Sequence, residues 1–185
     1  YLQAYGEDKH KLKNDFRNTQ TEIFNQEIAG GDKSQNKRAL QLASWNPFGN
    51  ESNEWFNPQW MFGVDKFDIV IGNPPYVSIR TKSFNISFKK YYKDNFHLAT
   101  GQYDLYVLFM ERAQPMLNKH GILNFIIPTR FLSNETFEQA RLFLYKNCRV
   151  KLYLNAEMPF EAANVEANSL LCIKDGSNNS VLTYK

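Results

Sequence analysis

The sequence predicts an α/β domain preceded by a helical segment, and three observations carry that prediction. From Lys66 onward, short apolar runs bounded by Gly, Pro, Asn or Asp alternate with longer stretches at helical spacing. Residues 1–43 hold no such run; their apolar positions are loosely spaced as on helices. Between the two, residues 44–66 set Trp45, Phe48, Trp55, Phe56, Trp60 and Phe62 among Asn, Pro and Gly, an irregular aromatic segment. The expected division is therefore a helical N-terminal segment, 1–43, and a second unit, 44–185.

In chain order, Leu2, Tyr5, Leu12, Phe16, Ile23, Phe24 and Ile28 predict one or two helices that end at Gly30-Gly31. Arg38 to Ala43 adds a short helical piece. Phe67-Asp-Ile-Val-Ile71 is apolar and bounded by turn residues, the pattern of a buried strand. Residues 77–100 read as a long loop with a little helix. Leu105, Tyr106, Leu108, Phe109, Ala113, Met116 and Leu117 form a helix face over Tyr103–Lys119, with Pro115 near its end and His120-Gly121 as its stop. Ile122 to Ile127 is the next strand, closed by Pro128. Ser133 and Asn134 are N-cap candidates for a helix over 135–146. Val150–Leu154, Ser169–Lys174 and Val181–Tyr184 complete the strands. Strand, helix, strand, helix, strand implies a parallel sheet with crossover helices. Ligands of such sheets bind beyond the carboxyl ends of the strands, so chemistry is expected just after Ile71 and just after Ile127.

Composition narrows the classes. The 185 residues are 43% hydrophobic, enough for a core and against wholesale disorder. No apolar run approaches the roughly 18 residues of a membrane span, and no secretory signal opens the chain. Cys148 and Cys172 are too few for a disulfide framework or a structural zinc site, which favours a reducing, cytoplasmic setting. His10, His97 and His120 lack ligand spacing, so no metal is expected. The chain begins at Tyr1 rather than Met and is expected to be a piece of a longer protein. Net charge is only +3, but Arg80, Lys82, Lys89, Lys90 and Lys93 interleave with Phe84, Phe88, Tyr91 and Tyr92 before any acid intervenes. That stretch suits nucleic-acid phosphates and bases, or is a solvated face with anchoring rings.

The densest chemical signal follows the Phe67–Ile71 strand: Gly72-Asn73-Pro74-Pro75-Tyr76. Consecutive prolines stiffen the turn and remove backbone donors, and Asn73, preceding proline, is held extended. The result is a rigid platform offering an amide side chain, free carbonyls and a ring. An exocyclic amino group has hydrogens that seek such acceptors: Asn73 Oδ1 and the Pro74 carbonyl would take them while Tyr76 stacks on the ring.

Asp68-Ile-Val-Ile-Gly-Asn-Pro-Pro-Tyr76 resembles motif IV of the S-adenosylmethionine-dependent amino-methyltransferases, which methylate exocyclic nitrogens, most often adenine N6 in DNA. Asp104-Leu-Tyr106 opening a helix, then Leu117, Gly121, the strand ending in Pro128 and Phe131-Leu132, are similar in order to motifs V and VI of gamma-class DNA adenine methyltransferases. Met158-Pro-Phe160, with Val165 and the strand 169–174, resembles motif VIII. Trp45-Asn-Pro-Phe, Phe56-Asn-Pro-Gln-Trp60 and Phe62-Gly63 are similar to the large single-chain restriction–modification methylases of the Eco57I type. The resemblance covers about residues 45–175, and motif IV is its specific part.

The resemblance implies the catalytic-face half of a Rossmann-like class I methyltransferase sheet. It implies a site-specific adenine-N6 methyltransferase of a restriction–modification system, acting on double-stranded DNA with the adenine flipped out. It makes Asn73, Pro74, Pro75 and Tyr76 the catalytic platform, Tyr76 and Phe160 the rings that sandwich the base, and Gly72, Asn73 and Asp104 the cofactor-side residues. Asp104 could instead cap its helix. Lys82, Lys89, Lys90 and Lys93 would contact DNA phosphate.

One departure stands out. The family's Gly-rich cofactor loop is missing: Gly30-Gly31 follows no strand, and Gly63-Val-Asp65 lies too close to motif IV. The main S-adenosylmethionine loop is expected before Tyr1, and a target-recognition region and a fused or partner nuclease elsewhere in the parent. The fragment alone is then expected to be inactive. The platform also suits guanine in RNA or glutamine in protein, and a non-catalytic DNA-binding module of a defence system is the reading from a different class.

Overall fold

The computed structural model describes residues 5–30, 33–49, 55–81, 84–153, 166–175 and 182–184. Phe160 and Lys82, and with them Met158 and Val165, lie outside the described residues. The chain forms two compact units, Tyr1–Val64 and Asp65–Lys185.

In the first unit, α1 (Glu7–Ala29) is one continuous helix, α2 (Lys33–Ser44) is longer than the piece expected from Arg38, and α3 (Pro58–Phe62) is short. Asn57 caps α3 by accepting from the Trp60 amide at 3.1 Å, and Pro58 sits where a missing N–H costs nothing. The aromatic segment packs back on the helices. Phe16 meets Trp45 and Phe48 edge-on at 5.6 and 5.3 Å, and the Arg38 guanidinium lies over Trp60 at 4.7 Å. These contacts hold Trp45, Phe48 and Trp60 against the helices, within the unit that ends at Val64.

The second unit is a five-stranded sheet with helices. Its elements run β1 (Phe67–Gly72), α4 (Ile86–Asn95), α5 (Leu105–Met116), β2 (Leu117–Pro128), α6 (Arg130–Ser133), a 3-10 turn (Glu135–Phe137), α7 (Glu138–Asn147), β3 (Arg149–Tyr153), β4 (Ala167–Ile173) and β5 (Leu182–Tyr184). The strand order is β1-β2-β4-β3-β5. The β1/β2 and β3/β5 pairs are parallel, as expected. β4 is antiparallel to both β2 and β3, which corrects the all-parallel expectation. It starts opposite Pro128, at the carboxyl end of β2, and so runs back along that strand.

Local boundaries differ for identifiable reasons. α5 ends at Met116 because Pro115 lies in its last turn, and β2 begins at once, taking His120 and Gly121 into the strand. His120 has a left-handed φ of 66°, and a Cβ on Gly121 would come within 3.0 Å of the Asn118 carbonyl and 3.2 Å of the Asp68 carbonyl. The expected 135–146 helix is broken into the 3-10 turn and α7; Asn134, not Ser133, caps the turn through Thr136 N at 2.9 Å. The expected 77–100 loop contains the ten-residue α4, capped by Asn85.

The core of this unit is α5 and α7 packed on the sheet: Tyr106, Met110, Leu117, Leu123, Ile127, Phe131, Leu144 and Leu170 are almost fully buried. Cys148 and Cys172 are buried free thiols within it. On β1, Ile69 and Ile71 remain exposed, and among the described residues this strand pairs only with β2. No helix among the described residues is long and apolar enough to cross a membrane.

Candidate active site

The carboxyl ends of β1 and β2 lie side by side, with Gly72 in register with Phe125. A Cβ on Gly72 would meet the Phe125 ring at 3.4 Å, so the strand end is close-packed against its neighbour without a left-handed φ. Beyond it, Pro74 is buried, Asn73 and Pro75 are exposed, and Tyr76 is half-buried. Among the described residues no hydrogen bond reaches the Asn73 side chain or the Pro74 carbonyl, so both acceptors are open. The strand therefore delivers a buried proline that anchors the turn and an exposed amide that faces outward.

The chain after Tyr76 is fastened to the start of α5. Ser78 and Asp104 form an isolated antiparallel bridge, Leu105 N donates to Val77 O at 2.9 Å, and Ile79 N donates to Tyr103 O at 3.3 Å. Asp104, 4% exposed, occupies the N-cap position of α5 but makes no capping bond. Its carboxylate instead pairs with Arg130, the second residue beyond the Pro128 that closes β2. This corrects the capping account: the carboxylate is turned across the strand ends to a guanidinium, the stronger partner for a buried charge.

Two tyrosines complete the arrangement. The Tyr76 ring meets Tyr106 edge-on, with centroids 6.2 Å apart, and Tyr106 meets Phe131 and Phe137. Both hydroxyls are buried without a well-formed hydrogen bond, although that of Tyr106 lies close to the Arg130 guanidinium. Burial pushes the Tyr76 phenol up from its ordinary value. Tyr106 is pushed up strongly, by burial first and then by the Asp104 carboxylate, with Arg130 acting in the opposite sense.

The basic segment is split. Lys89 and Lys93 line a cavity of about 690 Å³ with Asn95, His97, Thr100 and Tyr103, and Asp94 contributes a carboxylate there; Lys90 is exposed elsewhere on α4. The aromatic residues of this stretch pack mostly on one another: Phe84, Phe88, Tyr92 and Phe96, four apart along and on either side of α4, meet at 6.5, 6.3 and 6.0 Å. Glu111 of α5 fixes the loop beyond α4 by accepting from His97 N at 2.7 Å and Leu98 N at 2.8 Å.

The structure thus brings Gly72, Asn73, Pro74, Pro75, Tyr76 and Asp104 together at one end of the sheet. Arg130 and the roles of Tyr106 and its orphan hydroxyl are additions to the sequence reading. Arg130 had a positional signal, since it follows the strand ending at Ile127, where ligands of such sheets bind. The tyrosine pair had none, because its meaning lies in a contact across elements.

A family model described as Eco57I restriction-modification methylase matches residues 2–160. The chain is 36% identical over 85 residues to the type II restriction enzyme and methyltransferase RM.Eco57I of Escherichia coli, covering 44% of this chain and 8% of that protein. It is 31% identical over 134 residues to the type II methyltransferase M.TthHB8I of Thermus thermophilus, covering 64% of this chain and 31% of that protein. It therefore spans less than a third of the length of these relatives. The fold is similar to that of a protein described as a class I S-adenosylmethionine-dependent methyltransferase from Listeria monocytogenes, with a TM-score of 0.52, 21% identity, and coverage of 65% of this chain and 36% of that one. It is also similar to a modification subunit of a type I restriction enzyme from Vibrio vulnificus, with a TM-score of 0.50, 15% identity, and coverage of 81% and 31%. With a family match over residues 2–160, most of its length, the chain belongs to the Eco57I restriction-modification methylase family.

Proposed function

We propose that this chain carries the base-binding half of an S-adenosylmethionine-dependent DNA adenine-N6 methyltransferase. The observation that carries the reading is the open acceptor pair, Asn73 Oδ1 and the Pro74 carbonyl, on a proline-stiffened turn at a strand's carboxyl end with Tyr76 beside it. An amino group with two hydrogens fits two fixed acceptors, and a flipped purine fits a half-buried ring.

The fit to the cofactor is partial. Gly72 and Asn73, at the carboxyl end of β1, would meet its methyl end, whereas Asp104 is buried and committed to Arg130. No strand precedes β1 among the described residues, so the adenosine-binding turn is not among them. The open edge of β1, with exposed Ile69 and Ile71, suits a further strand carrying that turn. When bound, S-adenosylmethionine supplies the electrophilic methyl on a positively charged sulfur. Asn73 and Pro74 hold the amino nitrogen in line with it and favour the nitrogen as it becomes tetrahedral and positive. With the methyl passed from that sulfur to the nitrogen, Asn73 and Pro74 would hold the amino group while its surplus proton leaves to water. Tyr76 and Phe160 stack on the base, at about 1–3 kcal/mol each. Lys82, Lys89, Lys90 and Lys93 meet the DNA backbone, whose target is read by a region elsewhere in the protein, with a nuclease in the same chain or a partner. The setting is cytoplasmic, where both DNA and cofactor are present.

The test offers methyl-labelled S-adenosylmethionine and plasmid DNA, RNA and protein to the full-length natural protein, followed by digestion to monomers. Label in N6-methyladenine from DNA, lost in Asn73→Ala, is the expected result. Label in RNA or protein keeps the platform and overturns the substrate. Full activity in Asn73→Ala overturns the platform itself.

A further inference from the structure

We infer that Asp104 is a positioning residue for the Asn73–Tyr76 platform, acting through Arg130 and Tyr106. The inference rests on the methyltransferase reading and adds a role that neither helix capping nor cofactor binding supplies.

Tyr76 is held from both sides. Before it, Pro74 and Pro75 restrict the turn out of β1. After it, Val77, Ser78 and Ile79 are bridged to Tyr103, Asp104 and Leu105. The backbone of Asp104 is thus the anchor of the segment that leaves the platform. Its side chain ties that anchor to Arg130 at the end of β2, so one residue connects the two strand ends that border the site. The carboxylate is 6% exposed and the guanidinium 52%. A carboxylate so placed is costly unless paired, and the pair is therefore geometrically demanding.

The hydroxyls make the case stronger. Tyr106 is fully buried, near both members of the pair, and its ring meets that of Tyr76 edge to face; neither hydroxyl makes a well-formed hydrogen bond, that of Tyr106 lying close to the Arg130 guanidinium. The orientation of the Tyr76 ring accordingly depends on packing against Tyr106, and Tyr106 stands against Asp104 and Arg130. A hydrogen-bonded Tyr76 would hold itself; this one is held by its neighbours.

The test uses the full-length enzyme and a duplex whose target adenine is either normal or replaced by 2-aminopurine. Asp104→Asn keeps the side-chain shape and the backbone bridge but removes the charge. Misplacing a reacting group by about 1 Å costs on the order of 100-fold, so kcat is expected to fall by about 10- to 100-fold. The KM for S-adenosylmethionine and the affinity for DNA should stay unchanged, and the 2-aminopurine emission of the bound complex should change as stacking on Tyr76 loosens. Arg130→Gln should match it, Arg130→Lys should recover part of the rate, and the double variant should be no slower than the slower single. If Asp104→Asn fails to fold, Arg130→Gln supplies the same readouts. Unchanged kcat per folded enzyme overturns the inference, as does a loss confined to cofactor affinity. Activity surviving in Asn73→Ala overturns the platform instead, and no label transferred by the natural protein to any substrate overturns the methyltransferase reading, so these failures are separable from that of the inference.

Discussion

The two ends of the sheet handle charge differently. At the end where β2 begins, Asp175 holds both Arg149 and His120, the latter at 2.9 Å, and Lys174 Nζ donates to the Gln114 and Leu117 carbonyls at 3.1 and 2.8 Å. The ammonium group satisfies the free carbonyls where α5 turns into β2, and Arg149 Nε alone is left without a partner there among the described residues. At the opposite end, Asp104 and Arg130 pair, but two buried tyrosine hydroxyls stay unpaired and the acceptors at Asn73 and Pro74 stay open. Polar groups that are nearly all matched hold a fold; polar groups left open at a strand's carboxyl end are what a ligand can use.

That contrast can be broken or sharpened by substitution. The largest effect is expected from Tyr76→Ala. Loss of stacking at about 1–3 kcal/mol corresponds to roughly 5- to 150-fold in kcat/KM for DNA methylation, and equal activity would remove the functional meaning of this end. Asp175→Ala should do the reverse. It leaves Arg149 and His120 without their carboxylate and should lower stability by about 1–3 kcal/mol in urea unfolding, while kcat per folded enzyme is unchanged. A loss of kcat there would erase the distinction between the ends.

The smallest effect is in the alkaline limb, where Tyr106 at one end and Lys174 at the other act with opposite signs. Tyr106 is raised above its ordinary 10.0 in the folded chain. The unfolded chain therefore releases that proton first, and stability falls as pH rises beyond 10, by up to about 1.4 kcal/mol per pH unit for one proton. Cys148, pushed up to about 11 by burial, adds to the fall from pH 9 upward. Lys174 is lowered by burial, then by Lys66, so between its folded value and 10.5 the unfolded chain holds more protons and stability rises with pH. Tyr106→Phe should flatten the fall and Lys174→Met should steepen it, both read from unfolding free energies between pH 8.5 and 11.5.

Much of this was legible in the residues themselves. The strand Phe67–Gly72, the platform after it and the helix from Leu105 all lie where spacing and turn chemistry put them. The direction of β4 was not legible, because an apolar run such as 169–174 looks the same whichever way it enters the sheet. The position of Asp104 before a helix is a local signal, and it points to a cap or a cofactor contact. Its actual partner, Arg130, is 26 residues away, and no local signal reaches that far. The rings in and around α4 were legible as aromatic but not as a row packed on one another, mostly edge to face.

By itself the sequence determined the α/β alternation, the rigid Asn73-Pro74-Pro75-Tyr76 turn and its place after a strand, since periodicity and proline geometry act over a few residues. Only the tertiary structure decided that Asp104 spans two strand ends, that Tyr76 and Tyr106 share a buried edge without hydrogen bonds, and that β4 runs against its neighbours. These are set by which segments meet across the sheet, where burial fixes the partner of each charge and hydroxyl through contacts that sequence separation does not encode.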